Sequence, residues 1–177
     1  MAKPKSYVEA RDHAHWDAVE EAGELIEERL FPAALIHLKA VIEKDANNPY
    51  AYHLLGGVFH EIGELEASRD AYGAAVRVSP DHLGARVALS NVLRELGHFD
   101  DAEREAKNAL RRHPRDGEAM HALGLVQIER GNAADARINL QGFLDASPEL
   151  EAADEVRTIL ASLGVEHAND DESGDDK

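Results

Sequence analysis

The chain has 177 residues, 44% of them apolar and 31% charged, which suffices for one substantial core; an aromatic content of only 5% favours helix over a β-sandwich. Acids outnumber bases 35 to 19, and the net charge of −16 repels phosphate backbones and anionic lipid, which makes nucleic acid and membrane surface poor candidates for partners. No cysteine is present, which excludes disulfides, thiolate zinc sites and thiol redox chemistry.

In chain order, Ser6 and Glu9 have capping-box spacing and predict a long first helix starting near Tyr7, on an N-terminal extension of residues 1–14. From there a period of 34 residues organises the chain. Prolines fall at Pro80, Pro114 and Pro148, with Ala46 at the same phase one period earlier. Gly63, Gly97 and Gly131 share another phase, each between two amphipathic segments, with Arg29 standing in the first unit. The segment before Gly97 carries Leu89, Val92, Leu93 and Leu96 at helical spacing, so one face is buried. After each glycine phase come small or apolar residues, among them Ala34, Ser68, Ala102 and Ala136, which let two helices approach closely. The units are therefore 15–48 (degenerate), 49–82, 83–116 and 117–148. Residues 149–165 place Val156, Ile159, Leu160 and Leu163 on one face, as a closing helix requires. The tail 166–177 holds six acids against one base and is expected to be disordered.

The pattern Tyr52, Leu55-Gly56, Phe59, Gly63, Ser68, Tyr72, Ala75, Pro80 resembles the tetratricopeptide repeat. The third unit departs at Ser90, Leu93 and Ala106, and the fourth at Gln127, but their glycine, small and proline phases hold. The resemblance implies an all-α fold: a right-handed superhelical solenoid of about four helical hairpins and a capping helix. It also implies that the first helix of each hairpin lines a concave, partner-binding face.

Mapped by that resemblance, the face takes Trp16, Tyr50, His53, Leu54, His60, Val87, Asn91, Arg94, His121 and Leu125 as partner contacts. Trp16 and Tyr50 either form an aromatic anchor or leave Trp16 packed under the N-terminal segment. Gly23 and Gly57 either leave room for a ligand or serve close helix packing. Glu27, Glu61, Glu95 and Glu129 share one phase near the end of each first helix. They read either as an acidic ladder steering a basic or amphipathic segment or as solvated helix ends. A chaperone-type carboxylate clamp is disfavoured, because Val87 and Ala122 stand where basic residues would be wanted.

His13 with His15, and His53 with His60, do not have convincing metal-ligand spacing. No phosphate loop, catalytic triad or distinct carboxylate pair stands out, so neither metal, cofactor nor enzymatic activity is expected. No apolar run reaches the length of a signal peptide or a membrane span, and a cytoplasmic location is the expectation. The function expected is an adaptor that holds an extended or helical segment of a protein partner. The alternatives are a self-assembling, homo-oligomeric scaffold and an acidic chaperone for a basic or secreted client.

Overall fold

The computed structural model describes residues 7–171, and the side chains of residues 10–164. All regular structure among them is helical, as the all-α expectation requires, and no helix among them is long and apolar enough to cross a membrane. Two compact units divide the chain, one ending at Leu96 and the other beginning at Gly97.

The first unit contains α1 (Tyr7–Asp17), α2 (Glu20–Glu27), α3 (Phe31–Lys44), α4 (Pro49–Glu61), α5 (Leu65–Val78) and α6 (Leu83–Glu95). Its turns follow from backbone chemistry. Gly63 adopts φ +81°, and the Glu64 amide then donates to the Phe59 carbonyl at 2.8 Å, closing α4 with orphan carbonyls satisfied. Arg29 makes the same turn between α2 and α3 at φ +58°, with Leu30 N–H on Leu25 O at 2.8 Å. A side chain in that region costs about 1–2 kcal/mol. Arg29 offsets part of this with Glu61 at 3.6 Å and by lying 5.1 Å over the Phe31 ring.

The long first helix predicted from the sequence is instead two helices, broken at Ala18 and Val19. Val19 turns inward, 1% exposed, and joins the core of Ala22, Ala34, Leu38, Ala51 and Val58. Asn48, fully buried, donates from its amide to the His15 carbonyl at 2.8 Å, so a last-turn carbonyl of α1 is satisfied from outside the helix. Trp16 therefore sits on α1 rather than on the first helix of the first hairpin. The capping pair Ser6 and Glu9 lies outside the described residues and side chains, respectively.

Close approach of α4 and α5 is set by Gly56. A Cβ there would stand 2.6 Å from the Tyr72 ring, and Ser68 Oγ donates to Gly56 O at 2.8 Å. At neighbouring Gly57 an added Cβ would meet only the Tyr72 hydroxyl, at 3.6 Å. Alanine normally stabilises a helix interior over glycine by about 1 kcal/mol. Gly57→Ala is expected to show that gain, whereas Gly56→Ala should lose about 1–2 kcal/mol as Tyr72 is displaced from a buried position. Chemical denaturation of the two single variants measures the opposite signs.

The second unit contains α7 (Phe99–Arg112), α8 (Gly117–Glu129), α9 (Ala133–Asp145) and α10 (Leu150–Asp171). Gly124 repeats the role of Gly56, with Leu140 2.7 Å from an added Cβ. Gln127, at a phase the family fills with an aromatic ring, is buried and accepts from Asn139 Nδ2 at 2.8 Å. Val156 and Leu163 of α10 are buried while Glu151, Asp154 and Glu155 are exposed. α10 runs to Asp171, past the boundary expected at residue 165. Residues 172–177 lie outside the described residues.

Candidate functional site

The first helices of the 34-residue units start at a common phase, and their N-caps show it. Asn48 accepts from the amides of Tyr50 and Ala51, His82 through Nδ1 from Ala85 at 3.1 Å, and Asp116 from Ala119 at 2.8 Å. His82 lies 34 residues from both Asn48 and Asp116, a spacing that marks it as the equivalent cap.

That cap places His82 in a series of rings on the first unit. Trp16 meets Tyr50 edge to face with centroids 5.4 Å apart, and Tyr50 meets His82 at 5.3 Å. His82 meets His53 at 5.0 Å, and His53 meets Tyr72 at 5.5 Å. Of the two readings for Trp16, the side chain is 54% exposed and in contact with Tyr50. The Tyr50 hydroxyl donates to Asp12 Oδ1 at 2.9 Å, a second contact that sequence spacing did not suggest. Burial, followed by the Asp12 hydrogen bond and charge, raises the Tyr50 pKa, so the phenol remains a donor at neutral pH.

Burial also drives the imidazoles towards the neutral form. His53 is pushed down to about 4, with His82 adding to the effect. His82 is lowered too, although its own backbone and the Asp12 carboxylate pull the other way. The Tyr72 phenol is pushed up to about 12 by burial and by the charges of Glu61 and Glu95. At neutral pH the ring series thus carries no resident charge.

The remaining predicted contacts divide between the units. Leu54 packs on the core and is half-buried, as are Asn91 and Arg94. Val87 is buried, at 8% exposure. In the second unit His121 stacks on Phe143 with centroids 4.6 Å apart, and Leu125 is half-buried. Two members of the acidic ladder have neighbours from other helices: Glu61 stands 3.6 Å from Arg29, and Glu95 stands 3.0 Å from His60 Nε2. Glu27 and Glu129 are exposed.

The histidine pairs are not brought together. His13 stands 3.4 Å from Asp17, and buried His15 3.0 Å from Asp45. Among the described residues no group of three or more candidate ligands gathers to hold a metal ion.

Models of the tetratricopeptide repeat match residues 49–82 and 87–151. The chain is 31% identical over 112 residues to the protein CTR9 homolog of Arabidopsis thaliana, covering 60% of this chain and 10% of that protein. It is 32% identical over 89 residues to DnaJ homolog subfamily C member 3 of Gallus gallus, covering 50% of this chain and 18% of that one. The chain thus spans less than a fifth of the length of either relative. The solved structure of Pseudomonas aeruginosa PilF superposes with a TM-score of 0.79 at 18% identity, over 90% of this chain and 72% of that one.

Proposed function

We infer a protein-binding role for this chain from one premise: it belongs to the tetratricopeptide repeat family. That fold serves generally as a scaffold for protein–protein interaction. The finer reading is an adaptor whose first helices hold an extended or helical segment of a partner protein. The observation that carries it is the ring series on the first unit, which ends at a tryptophan 54% exposed. Exposed large aromatics are costly to leave in water, and they dominate binding energy when a partner covers them.

Half-buried Asn91 and Arg94, at the phases of Gly57 and His60, lie on α6, the first helix of the next unit. The net charge of −16 favours a segment rich in basic residues, whose binding weakens as salt screens the field. Peptides selected from a displayed library against the intact chain test the reading. Tyr50→Ala with His60→Ala should weaken the selected peptides at least about tenfold, the loss expected for an aromatic hot spot. Ile36→Ser, on α3, should leave them unchanged. Equal binding by both variants would move the site off the first helices.

Self-assembly is the second reading, because Ile36 of α3 and Ile138 of α9 are 73% and 71% exposed. It predicts a mass that rises with concentration in sedimentation and falls in Ile36→Ser.

A further inference from the structure

The ring series ends at a corner open to solvent. Asp12 and Trp16 are four residues apart on α1, so they share one face of it. Both meet Tyr50 of α4: the indole stands perpendicular to the phenol at an interplanar angle of 88°, and the phenol hydroxyl holds Asp12 Oδ1 at 2.9 Å. Two aromatic π surfaces and a carboxylate thus converge within the span of a single side chain.

The electrostatics of this corner select for one sign. Aromatic faces attract cations through the ring quadrupole, and a carboxylate adjacent to them adds a directional acceptor. The Tyr50 hydroxyl takes one of about four acceptor positions on Asp12, an exposed residue. No resident cation competes from the ring series, since burial keeps His53 and His82 neutral at pH 7. The whole chain, at −16, adds a long-range pull in the same direction.

We propose that the corner formed by Trp16, Tyr50 and Asp12 binds an arginine side chain of the partner segment. This rests on the protein-binding reading of the same face and specifies its ligand. A planar guanidinium lies flat on an indole while its N–H fork reaches a carboxylate, a geometry that lysine cannot reproduce.

Trp16 is the single tryptophan of the chain, so its fluorescence reports the corner directly. The probe is the peptide acetyl-Ala-Arg-Ala-Ala-Arg-Ala-amide, titrated beside its citrulline counterpart, which keeps the size and planarity of the side chain but removes the charge and puts a carbonyl oxygen in place of one arm of the N–H fork. The arginine peptide is expected to shift Trp16 emission saturably, and the citrulline peptide to bind at least tenfold more weakly. Asp12→Asn, a change at an exposed position, is expected to weaken the arginine peptide about tenfold and Tyr50→Phe, which releases Asp12, about threefold. Equal affinity for the two peptides, an unchanged affinity in Asp12→Asn, or no saturable shift at millimolar peptide would overturn the cation site. Any of these results is compatible with library-selected peptides still losing affinity in Tyr50→Ala with His60→Ala, so the adaptor reading stands or falls separately.

Discussion

Asn48→Ala is expected to lower the stability of the chain by about 2–4 kcal/mol. The side chain is fully buried and makes three hydrogen bonds: it accepts from the amides of Tyr50 and Ala51 at 3.0 and 3.1 Å and donates to the His15 carbonyl at 2.8 Å. Alanine removes the cap of α4 and leaves buried polar groups without partners, each costing about 1–3 kcal/mol less whatever water can recover. The two halves of the loss are separable. Asn48→Asp keeps the acceptor for Tyr50 and Ala51, as Asp116 does for Ala119, but loses the amide that grips His15 O. It should therefore loosen α1 specifically, seen as a change in Trp16 emission at temperatures where helicity is intact. Urea denaturation of both variants gives the magnitudes; a loss under about 0.5 kcal/mol in Asn48→Ala would show that α1 is not anchored here.

Acid should destabilise the first unit well above the range where carboxylates titrate. His53 is pushed down to about 4 in the folded chain, chiefly by burial, from an unfolded value of about 6.5. A base whose folded pKa is depressed is neutral when folded and protonates readily when unfolded. Its neutral form is at no disadvantage above about pH 6.5, and stability falls as the pH drops from there towards 4. Full protonation of the unfolded state costs up to about 3 kcal/mol for His53 alone, and His82, lowered by the same cause, adds to it. Protonation of His82 Nδ1 would also remove the acceptor that caps α6. The melting temperature should fall between pH 6.5 and 4.5, and His53→Phe, which retains ring contact with Tyr72 and His82, should flatten that profile. An unchanged profile in His53→Phe would place the acid sensitivity elsewhere.

The periodic features were legible because each has a local cause. Gly63 and Gly131 end helices at φ +81° and +75°, conformations that glycine alone adopts without strain, so their spacing could be read directly. Gly56 and Gly124 are set by one contact each, with Tyr72 and Leu140, which the same period predicts. The break between α1 and α2 was not legible, because neither glycine nor proline marks Ala18 and Val19. It goes with the inward turn of Val19 and with Asn48, whose amide holds the carbonyl of His15, 33 residues earlier in the chain. The site was half legible for a related reason. Trp16 and Tyr50 stand at equivalent phases and do meet, but Asp12 and His82 join them only because α1 docks on α4 and because a histidine takes a capping position. Phase alone does not say how deeply a side chain lies, and Val87, at a groove phase, is buried.

The most direct test of the adaptor reading is hydroxyl-radical footprinting of side chains with a selected peptide bound. Oxidation of Trp16, Tyr50 and His60 is expected to fall on binding, while Ile36 and Ile138, both more than two-thirds exposed on α3 and α9, are labelled as before. Protection of Ile36 and Ile138 with Trp16 and Tyr50 unchanged would contradict that reading and place the interaction on the second helices.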